Sequence, residues 1–172
     1  MFKILNHTYL HHKINVKTKC CKLHNIINYK NIKMKRKVNA IWKGNGIDGK
    51  GVLSAQSGAF SKIPYSFKTR FKNDDGQLGT NPEELIAAAL AGCFNMKLSF
   101  VLNEANFNPE ELITEALLSF VDGKITLIDL KLEAKVPVIS EEHFIKLAEE
   151  AKKTCPISEV LNCNIKLSSH LI

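Results

Sequence analysis

A chain of 172 residues, 45% hydrophobic and 24% charged, can bury one sizeable core, which excludes a disordered or fibrous polymer. Its formal charge of +7 suggests a nucleic-acid partner, but residues 1–33 hold seven lysines and no Arg, Asp or Glu, and so account for all of it. The rest of the chain is neutral overall and carries no global electrostatic footprint for nucleic acid.

The leader, residues 1–33, is rich in Asn, Lys, Ile and His, and lacks glycine, proline and any sustained periodicity. Three readings compete: translated upstream sequence with Met34 as the true start, an organellar targeting segment, or a disordered tail. His11, His12, Cys20, Cys21 and His24 are metal-ligand types, but adjacent cysteines do not match zinc spacing, and no metal or cofactor is expected. The leader is set apart from a folded domain at 34–172.

Within that domain a strand is expected at 38–42, then a glycine-rich turn. The alternating runs 51–57 (GVLSAQS) and 66–71 (SFKTRF) read as two further strands of an antiparallel meander. Residues 72–79 form a polar loop. The next segment, 80–103, is the longest apolar element. Asn81 precedes Pro82 and is held out of the helical region, so it caps a helix with proline at its first position. Glu84 falls where a capping box places an acid, and Glu83 sits in the positive first turn. Beyond them the only charge is Lys97. A helix apolar on nearly every face, roughly 30 Å long, belongs at the centre of a domain. Two glutamates and a lysine set it apart from a membrane span.

Asn108-Pro109-Glu110-Glu111-Leu112 repeats the same capping grammar. Even so, 117–121 and 124–136 flank Asp122-Gly123, a two-residue hairpin turn, and the hairpin is preferred. Ser140 opens an amphipathic helix to about residue 153. Cys155 and Pro156 begin a short helix to about 162, and 163–171 alternates as a closing strand.

Five cysteines without a secretory pattern indicate a reducing compartment, the cytoplasm, and working thiols. Cys93 lies mid-helix, where a lone cysteine is ordinarily a small buried hydrophobe. Cys155 stands at a helix start beside Lys152 and Lys153, a place that stabilises a thiolate. Two such thiols suggest a redox pair. The run TNPEELIAAALAGCF, followed about sixty residues later by CPISEVL, resembles the OsmC/Ohr family of organic-hydroperoxide reductases. The resemblance covers roughly 37–172, and the SFKTRF context places it nearer the OsmC branch.

The resemblance implies an α+β fold, antiparallel sheets wrapped around a long central helix, in an intertwined homodimer with sites at its interface. It implies a thiol-dependent peroxidase acting on organic hydroperoxides in oxidative or osmotic stress defence. Cys93 would attack the peroxide, Cys155 would resolve the sulfenic acid, and a lipoyl-type or small dithiol would supply electrons. A thiolate needs a cation, and Arg70, one of two arginines, is the candidate within its expected strand. The family pattern pairs Arg70 with Glu83. Ten residues separate Glu83 from Cys93, about 15 Å along a straight helix. An interrupted helix, a bridging Arg70 or a dimer interface would each reconcile them. Cys163 is assigned to packing. The rival readings are a thiol–disulfide oxidoreductase, for which no Cys-x-x-Cys is present, a hydrophobic-ligand-binding module, and a nucleic-acid binder resting wholly on the leader. Neither nucleic acid nor membrane is expected as a partner.

Overall fold

The computed structural model describes residues 33–72 and 79–172. The expectations for the leader, including its metal-ligand types, and for most of the 72–79 loop lie outside the described residues. The folded unit runs over Arg36–Ile172.

Three strands, β1 (Val38–Lys43), β2 (Lys50–Ala55) and β3 (Ile63–Ser66), form an antiparallel sheet in the order β1-β2-β3. At the β1–β2 turn the Asn45 side chain accepts the Ile47 and Asp48 N–H groups at 3.1 and 2.8 Å, the local pairing that favours Asn in turns. The chain then departs from the expected third strand. Residues Phe67–Phe71 form a short helix, α1, and Arg70 rides on it. Local capping decides this. Ser66 Oγ accepts the Thr69 N–H at 3.1 Å, while Thr69 Oγ1 accepts the Ser66 N–H at 2.8 Å. This reciprocal box outweighs the alternation of SFKTRF.

The expected central helix is present as α2 (Pro82–Glu104), capped by Asn81, whose Oδ1 accepts the Glu84 N–H at 2.7 Å. The Glu84 carboxylate accepts instead from the Thr80 hydroxyl at 2.9 Å. The second sheet contains β4 (Glu111–Val121), β5 (Lys124–Lys135) and β6 (Asn164–Leu171), in the order β4-β5-β6. Asp122 and Gly123 both have positive φ, 50° and 79°, the conformation their hairpin turn demands. The helix signal at 108–112 yields to β4, as the hairpin requires. β5 and β6 run parallel, so the sheet is mixed rather than wholly antiparallel. A parallel pair needs a long crossover, supplied here by α3 (Glu141–Thr154) and α4 (Pro156–Val160).

α2 and α3 lie on one face of this second sheet. Leu90, Phe94, Leu98 and Leu102 of α2 meet Ile128, Leu130, Leu132 and Ala134 of β5 and Phe144, Ala148 and Ala151 of α3, all of them fully buried. Each large side chain contributes about 1.5–3 kcal/mol by burial. The opposite face of α2 leaves Ala88, Ala89, Gly92 and Met96 exposed. All six residues of β1 are exposed as well.

Candidate functional site

Two groups of side chains stand at different levels of α2. The first is at its N-terminus. The Arg70 guanidinium donates from Nε to both carboxylate oxygens of Glu83, at 3.2 and 3.1 Å, and from Nη2 to Oε1. It also lies 4.9 Å from the Phe71 ring centroid and 5.1 Å from that of Phe120, a cation–π contact with each ring. Burial favours the neutral acid at Glu83. The hydrogen bond from Arg70, a backbone N–H and the guanidinium charge outweigh it and hold the carboxyl below its ordinary range.

The placement of Arg70 traces to Thr69. This buried hydroxyl shares its one proton between the Thr80 carbonyl at 3.1 Å and the Ser66 carbonyl at 3.0 Å. It thereby ties α1 to the residues that lead into α2. The Thr80 N–H bonds the Pro64 carbonyl at 2.9 Å, tying in β3 too. Beside the ion pair opens a cleft of about 460 Å³, lined by Arg70, Glu83, Ala87, Ala116, Leu118 and Phe120 among others. Cys93 does not line it.

The second group is the thiol pair. Cys93 lies near the middle of α2 and is half-buried, and Cys155 is the N-cap of α4 and fully buried. About sixty residues apart in sequence, the two thiols lie close enough for each to act on the other's protonation. Burial pushes the Cys93 thiol up, and the neighbouring Cys155 pushes it further, against one opposing N–H from Ile157. Burial acts the same way on Cys155. There the Ser158 N–H, the Cys93 thiol, the Ser158 hydroxyl and the Ile157 N–H prevail, and the thiol ends below its ordinary range. The two lysines expected to do this are not the cause: Lys152 is engaged by Glu149 at 2.7 Å, and Lys153 is exposed.

Within one chain, then, Arg70 meets Glu83 and Cys93 lies beside Cys155, but the two pairs stay apart. α2 is unbroken from Pro82 to Glu104, which removes the interrupted-helix alternative and leaves Glu83 and Cys93 about 15 Å apart along the axis. Cys163 packs against the core, and burial alone raises its pKa. Among the described residues no three His, Cys, Asp or Glu side chains gather as metal ligands.

A family model described as OsmC-like protein matches residues 72–170, more than half of the chain. The chain belongs to the OsmC-like family. Peroxiredoxin OsmC of Escherichia coli (strain K12) is 45% identical to it over 140 residues, covering 79% of this chain and 96% of that relative. The crystal structure of the organic hydroperoxide resistance protein OhrB of Bacillus subtilis superposes with a TM-score of 0.59 at 27% identity, over 80% of this chain and 98% of OhrB. An OsmC-like protein from Mycoplasma pneumoniae gives a TM-score of 0.65 at 16% identity, over 82% of this chain and 99% of that one, a likeness of fold.

Beside the expected residues, this OsmC-like chain brings Phe120, Thr69 and Ser158 to the two groups. Phe120 arrives through the β4–β5 register, which no local pattern reveals. Thr69 had a local signal in Ser66-Phe67-Lys68-Thr69, where each hydroxyl caps the other's N–H. Ser158 had a weaker one, lying three residues after a cysteine that precedes a proline.

Proposed function

We propose that the chain is a thiol-dependent peroxidase that reduces organic hydroperoxides through Cys93 and Cys155. The observation that carries this reading is the closeness of those two thiols, in a chain so similar to a named peroxiredoxin. The Cys93 thiolate attacks one peroxide oxygen, the O–O bond breaks, and the leaving alkoxide takes up a proton. The resulting sulfenic acid condenses with Cys155, expelling water and forming a disulfide. A dithiol of lipoyl or small-molecule type then returns two electrons and two protons. The apolar lining of the cleft beside the ion pair, Ala87, Ala116, Leu118 and Phe120, favours alkyl hydroperoxides over hydrogen peroxide.

The working unit in this proposal is a homodimer. The exposed apolar stripe of α2 and the uncovered β1 both favour a second copy, and so does the separation of Arg70 from Cys93. A two-fold pairing of antiparallel α2 helices, crossing at the small residues Ala88 and Ala89, brings Glu83 of the partner subunit level with Cys93. Its arginine then lowers the Cys93 pKa and neutralises the departing alkoxide; within the chain only the Ile157 N–H, and no charged group among the described residues, is seen to lower the Cys93 pKa.

The test is hydroperoxide consumption by the full chain with a dithiol, comparing an organic hydroperoxide with hydrogen peroxide. Turnover faster with the organic substrate and abolished by Cys93→Ser is expected. Absence of turnover with either oxidant refutes the reading and favours a hydrophobic-ligand module.

A further inference from the structure

Ser158 has no place in the chemistry so far, yet its Oγ is shielded from solvent and forms no well-directed hydrogen bond among the described residues. Such a group in a folded protein calls for an explanation. Ser158 is the third residue of α4, counted from its N-cap Cys155, and the Glu159 N–H donates to the Cys155 carbonyl at 3.1 Å to close that turn. This one turn of helix sets Ser158 beside the cap, and its hydroxyl acts on the Cys155 sulfur. The Ser158 and Ile157 N–H groups act on the same sulfur. Cys93 has one N–H acting on it. The two sulfurs also differ in access: Cys155 is completely buried, and Cys93 is partly open.

We propose that the Ser158 hydroxyl makes Cys155 the leaving thiolate when the Cys93–Cys155 disulfide is reduced, so that the reductant's sulfur is taken by Cys93. This rests on the two-thiol reading above. A thiolate of the reductant bonds to Cys93 Sγ, and the S–S bond breaks with its electron pair passing to Cys155 Sγ. There two N–H groups and the Ser158 O–H stabilise the new charge. The second thiol of the reductant then attacks its own sulfur in the mixed disulfide. This releases Cys93 as a thiolate and closes the reductant's disulfide, and the two protons end on the protein thiols. The better-stabilised thiolate leaves faster. A hydroxyl poorly aligned at rest tightens its bond as the charge develops.

The experiment separates this inference from the reading beneath it. The full chain is treated with one equivalent of an organic hydroperoxide, and its intact mass shows whether an internal disulfide forms. No disulfide refutes the two-thiol reading itself. The disulfide form is next exposed briefly to 2-mercaptoethanol, quenched in acid and alkylated, and the adducts are mapped by peptide mass spectrometry. The adduct is expected on Cys93 with Cys155 alkylated; an adduct on Cys155 overturns the proposal. In parallel, Ser158→Ala is expected to slow reduction of the disulfide by dihydrolipoamide about three- to tenfold. It should slow this reduction more than it alters the single-turnover oxidation of Cys93, and Ser158→Thr, which keeps the hydroxyl, should restore the rate. Equal reduction rates for all three chains also overturn it, whatever the mapping shows.

Discussion

The two sheets of this chain are built to different standards. Behind β4–β6 lies a continuous core in which Leu90, Phe94, Leu98, Ile128, Leu130 and Phe144 are sealed from solvent. The β1–β3 sheet has no such backing, and Val38, Ile41 and Trp42 stand in the open. The first half is held by burial; the second is held by a few directed hydrogen bonds around Thr69 and Thr80. The thiols belong to the first half and the arginine to the second.

The largest expected effect tests the contrast directly. Phe94→Ala should cost about 3–5 kcal/mol in urea unfolding, as a large cavity in a close-packed core does. Trp42→Ala, on the exposed sheet, should cost under about 1 kcal/mol in a chain studied at dilution where it is monomeric. A cost for Trp42→Ala equal to that for Phe94→Ala would mean that β1 has a core of its own, and the contrast would fail.

The next effect is at the anchor. Thr69→Val removes a buried hydroxyl that serves one donor and two acceptors, and should cost about 1–3 kcal/mol. Peroxide turnover should fall more than stability alone explains, because α1 then presents Arg70 less well. Unchanged turnover at temperatures where the variant is folded would argue against that coupling.

The ion pair gives a smaller effect with a definite pH signature. The folded pKa of Glu83 is depressed, so its contribution is complete above the ordinary carboxylate range and disappears as the pH falls through that range and below its folded value. Glu83→Gln should therefore lower the stability at pH 7 by on the order of 1 kcal/mol, because Arg70 is partly screened by solvent. Parent and variant should converge near pH 3, as thermal melts at both pH values would show. A constant gap would place the effect elsewhere.

The smallest effect runs the other way and lies on the well-built half. Val138 has a positive φ of 65° and is 97% exposed. A β-branched residue there is strained and packs against almost nothing. Val138→Gly should stabilise by about 1 kcal/mol, a rise of about 2–4 °C in melting temperature for a chain of this size.

Much of the core half is legible in the sequence because its signals are local and agree with one another. Asn81-Pro82 with two following glutamates marks α2 to the residue, Asp122-Gly123 marks the hairpin, and Ser140 marks α3. The arm is legible only in part. The alternation of SFKTRF reads as strand, but a capping box and the reach of Thr69 to the Thr80 carbonyl turn it into α1, and that reach is a tertiary fact. The parallel pairing of β6 with β5 is invisible for the same reason, since strand order is not written in any one strand. At the site, Cys93, Cys155, Arg70 and Glu83 stand out by type and by resemblance. The separation of Glu83 from Cys93 is legible too, in the ten residues of helix rise between them, but that α2 runs unbroken through both is settled only by the fold. Ser158 and Phe120 are ordinary residues until the fold brings them to a sulfur and a guanidinium.

The crossover between β5 and β6 also has a consequence in time. A ribosome delivers α2, with Cys93, well before α4, with Cys155, and the two thiols meet only after the crossover has closed a long loop against the sheet. A newly made chain thus passes through an interval in which Cys93 has no neighbouring thiol to intercept a sulfenic acid. During that interval oxidation can run on to the irreversible acids. On the two-thiol reading proposed above, synthesis exposes Cys93 to a hazard that the folded chain avoids.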